Sequence, residues 1–244
     1  MLSQEEWLEV LAIIEDLVND GYTEEDAEQE AVAIVLGKRE QKKKRGVPIA
    51  EYISVMDLNE EEKKNITYKY QQFFDMIMFM FSAIQAQKEM NSLNYLTIAN
   101  QTTEEYQNIV GNDENYDKHI GYFADNFAET TLKNIDKEWY LSEDRAMFIA
   151  ENEALGNYDY DKYIKAKLNG ATKKRWVAEL DKATRDTHKK ANGKVIGIDE
   201  MFHVGQARMM FPKDDYTEKS TGFEHPEEIV NCRCTCEYIG MNRK

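Results

Sequence analysis

The feature that most restricts this chain is where its cysteines stand. There are three, at alternate positions (Cys232, Cys234, Cys236), in a stretch from Trp176 that also holds His188, His203 and His225. Side chains on a strand alternate between faces. Cys232 to Ile239 therefore reads as a strand with Cys232, Cys234, Cys236 and Tyr238 on one face and Arg233, Thr235 and Glu237 on the other. An odd number of thiols at this spacing argues against a disulfide framework and for reduced thiols or a metal, hence for a cytosolic setting.

The residues before the cysteines read as the rest of a small module. Lys174 to Leu180, with Trp176, Val177, Ala178 and Leu180, has the composition of a buried strand. Asp181 is placed to cap a short helix holding Thr184, Arg185 and His188, with Arg185 and His188 on adjoining positions. Asn192-Gly193 ends that helix and turns into a second strand, Lys194 to Ile198.

Three readings of the His and Cys set stay open. Cys232 and Cys234 with His188 and one further group would make a mixed sulfur and nitrogen tetrahedron for zinc. Against this, a Cys-x-Cys pair on a flat strand spans ~6.6–7 Å between Cα atoms, so chelation needs a turn or bulge. His188 could instead lower a thiol pKa for nucleophilic work, though the sequence offers no oxyanion-hole or third-residue signature. In the third reading the thiols fill space under Trp176, while Asn231 and Arg233 tie loops together. The acid pairs Asp214-Asp215 and Glu227-Glu228 lie in turn-rich sequence, where adjacent acids are ordinarily solvated.

Residues 1–140 read as an acidic helical region and 141–244 as a separate module, an α+β chain with a short antiparallel sheet. Ser3-x-x-Glu6 is a capping box ahead of Trp7, Leu8, Leu11, Ile14, Leu17 and Val18. Asn19-Asp20-Gly21 ends that helix, and Thr23-x-x-Asp26 opens a second that Gly37 stops. Gly46 and Pro48 mark a boundary. Asn59-x-x-Glu62 opens a long helix carrying Tyr68, Phe73, Met76, Ile77, Met80, Phe81 and Ile84, apolar around nearly its whole circumference and so central to a bundle. Thr102-x-x-Glu105 reads as the cap of a further short helix, and Gly111 to Asn115 as a flexible connection. Tyr122, Phe123, Phe127 and Leu132 mark another helix; its neighbour His119, with no Cys or His close by, reads as a surface or packing residue. Ser142 starts the helix leading into the module, whose Ala146, Ile149, Ala150 and Ala154 suit close packing.

The formal charge of −15 is uneven. Residues 153–244 hold 17 Lys and Arg against 15 Asp and Glu, which leaves −17 on residues 1–152. An acidic half repels phosphate and points to protein or solvent. The dense basic run, Lys38-Arg39 then Lys42, Lys43, Lys44 and Arg45, could support weak, non-specific DNA binding by counterion release, or could be a solvated linker paired with acidic neighbours. Gln4-Glu5-Glu6 is unlike a secretory leader. The most apolar run, Phe73 to Ile84, is too short to span a bilayer, so no membrane is expected.

Taken in order, the Trp176 strand, Thr184-Arg185 with His188, Gly193, Asp199, Phe202, Pro212 with Asp214, and Pro226 before Asn231-Cys232-Arg233-Cys234 resemble the phage head-morphogenesis family, the Mu F-like minor head proteins. The resemblance covers residues 142–240. It implies that Trp176, Asp181, Arg185, His188, Gly193, Asn231, Cys232, Arg233 and Cys234 define the module's core. Relatives commonly carry Arg-Thr-Glu on the helix entering the module; here the triplet is Glu151-Asn152-Glu153, without the arginine. Cys236 falls where the family is usually apolar and is not expected to be a ligand. What the resemblance implies is a minor structural protein of a tailed-phage head. It would associate with the portal, and with scaffold or capsid protein, and act in head assembly, DNA packaging or ejection. It would be found in host cytoplasm during assembly and then in the virion, in the head interior or at the portal vertex. Some relatives carry a toxin domain after the signature; none is expected in the eight residues after Cys236. A zinc- or thiol-dependent enzyme acting in the host, or a DNA-binding accessory protein, are the rival readings.

Overall fold

The computed structural model describes residues 58–111 and 116–241 apart from Ala183 and Glu218, together with Val10, Leu11, Ile13, Ile14, Val18, Thr23, Ala31 and Ile53. The chain divides into two compact units, Met1–Gly46 and Val47–Lys244. In the first, Leu11, Ile14 and Val18 are helical as their spacing predicts, as are Val10 and Ile13, and Val10 and Ala31 are buried with Ile13 and Ile14 against them. The remainder of the expected hairpin, the basic run with Lys42, Lys43, Lys44 and Arg45, and residues 112–115 of the expected connection lie outside the described residues.

The second unit is α+β, as the sequence predicts, but the boundary read at residue 140 falls inside it. Helix α1 (Glu60–Glu89) starts with the capping box read from the sequence: Asn59 Oδ1 accepts from the Glu61 and Glu62 amides, and Glu62 Oε2 accepts from the Asn59 amide. Its buried face runs through Ile66, Phe73, Met76, Ile77, Met80, Phe81 and Ile84, while Tyr68 and Phe79 stay exposed, so its apolar circumference is not closed on every side. Helix α2 (Tyr95–Val110) is capped by Asn94, not by Thr102. Thr102 sits buried in mid-helix, where its hydroxyl donates to the Ile98 carbonyl at 2.8 Å. A threonine satisfied by the carbonyl four residues back has no need of a helix end. Helix α3 (Asp117–Lys133) follows, then a 3₁₀ turn (Glu138–Leu141) and α4 (Glu143–Leu168), which Ser142 caps as expected. Ala146, Ala150 and Ala154 on α4 are fully buried, and their small side chains let α4 lie along α1.

The module's sheet is antiparallel with β1 (Lys173–Val177) between β2 (Val195–Gly197) and β5 (Thr235–Ile239). Trp176 pairs with Cys236 and Lys174 with Tyr238. Lys174 and Trp176 point into the core and the odd-numbered residues outward. The strand is shorter than read, and Val177 and Leu180 are exposed. A hairpin of β3 (Phe202–Val204) and β4 (Ala207–Met209) adds a second small sheet. Between the strands lie α5 (Asp186–Ala191), a 3₁₀ turn (Gly222–Glu224) and the one-turn α6 (Pro226–Ile229).

Candidate functional site

The segment before α5 does not form the helix expected from Asp181. That carboxylate instead folds a turn by accepting from the Thr184 amide at 2.9 Å, and the helix begins only after Arg185. Arg185, left outside, reaches across to donate to the Val230 carbonyl. Gly193 ends α5 in the left-handed region (φ +76) and donates to the Trp176 carbonyl at 2.8 Å, a conformation that strains any residue with a Cβ. Asn192 Oδ1 meanwhile accepts from the Ala178 amide. These contacts fix α5 against β1 with His188 pointing inward.

The cysteine segment is shaped from the other side. Cys232 and Cys234 precede β5, so they do not lie on a flat strand. Val230 donates back to the Pro226 carbonyl and Cys232 to the Ile229 carbonyl, while Asn231 takes a left-handed φ of 55°. The Asn231 amide donates to Asn152 Oδ1 on α4, and Arg233 grips Asp181 with two bonds of 2.5 and 2.6 Å. The turn carrying Cys232 and Cys234 is thus shaped by contacts from α4, from α6 and from the turn at Asp181.

At the centre, His188, Cys232 and Cys234 are buried, and one ligand atom from each lies within 4.8 Å of the others. His188 Nδ1 is 3.2 Å from Cys234 Sγ and 3.5 Å from Cys232 Sγ, and its Nε2 is 3.0 Å from Glu228 Oε2. Since a carboxylate accepts, Nε2 donates to Glu228, while Nδ1 faces the two sulfurs. Thr187 Oγ1 donates to the same Glu228 oxygen at 2.8 Å. Gly205, between β3 and β4 with φ +60, makes room for this carboxylate: a Cβ there would stand 2.1 Å from Glu228 Oε1. Glu228 is therefore a built-in partner of the site and not a solvated acid. Its signal in the sequence was its place between Pro226 and the thiols.

Lys213 lies behind the thiols. It is buried against Asp159 (2.8 Å), and its Nζ reaches the Cys234 carbonyl at 3.5 Å. Burial works against its ammonium, but Asp159 and the Cys232 thiol outweigh that and raise its pKa. Burial likewise opposes a Cys232 thiolate, yet hydrogen bonds from Cys234 and His188 and the charge of Lys213 bring its pKa well below the usual thiol range. Cys234 moves the opposite way, raised by its hydrogen bond to Cys232 and by burial. One thiol gives and the other receives. Cys236 is buried on the next inward position of β5, where burial pushes its thiol up, and it stays out of the cluster as expected.

This donor set fits zinc. Two sulfurs and one imidazole nitrogen converge at separations that ~2.0–2.3 Å bonds to a common ion allow. The Glu228 contact would serve as the outer hydrogen bond that orients a metal-ligating histidine. His203, exposed on β3, and His225, paired with Glu227 at 3.1 Å, take no part.

A second polar cluster was not foreseen. His119 is 2% exposed, not a surface residue. Its Nε2 contacts Glu153 Oε2 of α4 at 2.8 Å and its Nδ1 contacts Asp215 Oδ1 at 3.0 Å. Tyr106 Oη donates to the same Glu153 oxygen at 2.6 Å, and Tyr216 stacks on the ring with centroids 4.0 Å apart. Burial alone would lower the His119 pKa, but Asp215 and Glu153 carry it up to about 10. The acid pair 214–215, expected in solvent, is taken up by the fold, with Asp214 buried and Asp215 half-buried: Asp214 accepts from the Met210, Tyr216 and Thr217 amides and organises the loop that presents Asp215.

Residues 125–237 match the family described as Phage Mu protein F like protein. The chain is also 34% identical over 105 residues to an NAD(+)–arginine ADP-ribosyltransferase, EFV, of Enterococcus faecalis. That alignment covers 41% of this chain and 20% of the relative, so the chain spans about a fifth of the length of the curated protein it matches. No solved structure matches.

Proposed function

We propose that the protein is a minor component of a tailed-phage head that associates with the portal, and with scaffold or capsid protein, during assembly. The observation that supports this reading is the family match over residues 125–237. The excess of negative charge in residues 1–152 suits steering onto a basic partner surface, so association weakens as salt rises. Among the described residues no helix is long and apolar enough to cross a membrane. The test is co-purification of the full chain with the portal protein at low and moderate salt, with quantitation of the chain in purified virions. Absence from virions together with no portal association at either salt would overturn the reading.

The cluster of His188, Cys232 and Cys234 is proposed to hold zinc as a closed structural tie. Cys232 is 1% exposed, which favours this role over a nucleophile that must meet a substrate. The enzymatic rival has one specific support, the EFV segment. Incubating the purified chain with labelled NAD(+) and arginine-bearing acceptors tests it, and label transfer would favour that reading. DNA binding, if it occurs, is weak and carried by Lys42, Lys43, Lys44 and Arg45. Neutralising those four should abolish duplex retardation at low salt, whereas surviving retardation would move the interface elsewhere.

A further inference from the structure

Along α4, two turns before the His119 cluster, Arg145 is 7% exposed with no carboxylate beside it among the described residues. Its Nη1 donates to Thr131 Oγ1 at 2.9 Å and to the Tyr140 carbonyl at 2.6 Å, which uses both hydrogens of that nitrogen. The guanidinium lies 4.9–5.5 Å from the ring centroids of Tyr140, Phe81 and Phe127. The three N–H donors of Nε and Nη2 have no protein acceptor among the described residues, and Arg145 lines a cavity of about 400 Å³. Burial pulls its pKa down to about 10, the sign of a charge held without a counter-ion.

Other walls of the cavity include Phe127, Phe148 and Ile149, with Glu153 and Asp215 at the far end. Glu153 follows Arg145 by eight residues, so about 12 Å of helix separates the two ends. The far acids are already engaged by His119 and Tyr106. The cavity therefore has one open cationic end, an apolar middle and a self-neutralised acidic end, and its volume lies within the range of small-molecule sites.

We propose that this cavity binds a small apolar molecule bearing one carboxylate, with the anion held by the free N–H groups of Arg145 and the apolar body lying along Ile149 and Phe148. A planar guanidinium with unspent donors matches a carboxylate bidentately, and an aromatic surround excludes the water that would otherwise compete.

The probes are 4-phenylbutyrate, 4-phenylbutanol and 4-phenylbutylamine, titrated by calorimetry into the full chain at moderate salt. The acid is expected to bind about tenfold or more tightly than the alcohol, and the amine not to bind. Arg145→Gln should erase the preference for the acid, and Ile149→Trp should fill the cavity and remove binding with Arg145 intact. If Arg145→Gln does not fold, the three probes on the native chain together with Ile149→Trp still decide. Equal affinity for acid and alcohol, no acid binding, or binding unchanged in Ile149→Trp would each overturn the proposal.

Discussion

Two buried histidines divide the work of the second unit. His119 joins α3 to α4 and to the 211–217 loop through two carboxylates, and is held as a cation. His188 faces a carboxylate on one nitrogen and two thiols on the other. Oxygens on both sides make an ionic clip; an oxygen on one side and sulfurs on the other make a candidate metal seat. The same side chain is committed to different chemistry by which elements deliver its neighbours. α3, α4 and a loop deliver acids, whereas the turn before β5 delivers thiols.

The sharpest break in this comparison comes from the buried pair behind the thiols. Asp159→Asn leaves Lys213 charged in the interior without its carboxylate, and should lower unfolding stability by about 3–5 kcal/mol. Asp159→Asn with Lys213→Met should recover most of that loss, since the two changes together remove both charges. Urea denaturation of both variants checks this. A double variant as unstable as the single would mean that Lys213 serves the thiols more than it serves Asp159.

Zinc sharpens the other arm. Protein purified without chelator should carry about one zinc per chain if the seat is used as its geometry allows. Cys232→Ser should lose it and Cys236→Ser should keep it. Glu228→Gln should weaken metal affinity about 10–100-fold, as loss of an outer hydrogen bond to a ligating histidine does. Elemental analysis and chelator competition read these, and equal metal in all three variants would move the ion elsewhere.

The two sites differ in how far the sequence reveals them. Period-two cysteines, the Trp176 strand and the Gly193 turn are local signals, and His188, Cys232 and Cys234 do meet. The Asn59 capping box and the small residues of α4 are equally local and equally visible. His119 is invisible because its partners, Glu153 and Asp215, come from α4 and from a loop beyond the sheet, and nothing near His119 announces them. Glu228 and Asp214 look like solvated acids until tertiary packing supplies Thr187, His188 and the amides of Met210, Tyr216 and Thr217. Thr102 shows the reverse error: a cap pattern met by chance inside a helix, where the hydroxyl satisfies itself.

The ionic clip makes a claim about pH. The folded pKa of His119 is raised to about 10, above the ~6.5 of an unperturbed histidine. Its stabilisation is therefore complete below about pH 6.5 and is lost as pH rises through about 10. His119→Gln should cost about 1.5–3 kcal/mol at pH 6. The gap to the native chain should narrow steadily as pH rises, and should be smallest near pH 10. Urea melts of both proteins across that range measure it, and a gap that does not shrink would show packing against Tyr216, not charge, to be the role of the ring.

The smallest effect belongs to Arg233 and Asp181, and it asks whether geometry or burial sets the energy of an ion pair here. Its bidentate contacts are at least as short as the single contact of Lys213 and Asp159, but Asp181 is 39% exposed while the inner pair is almost wholly enclosed. Water and salt screen the outer pair, so Arg233→Gln should cost about 1 kcal/mol or less. Asp181→Asn removes the charge while leaving an oxygen to accept from the Thr184 amide, so it isolates the pair from the turn that Asp181 also folds. A double-mutant cycle in low and high salt gives the coupling directly. If that coupling is several kcal/mol and insensitive to salt, the Arg233 bridge is a main fastener of the cysteine turn, and the metal seat would be held from its surface as firmly as from its core.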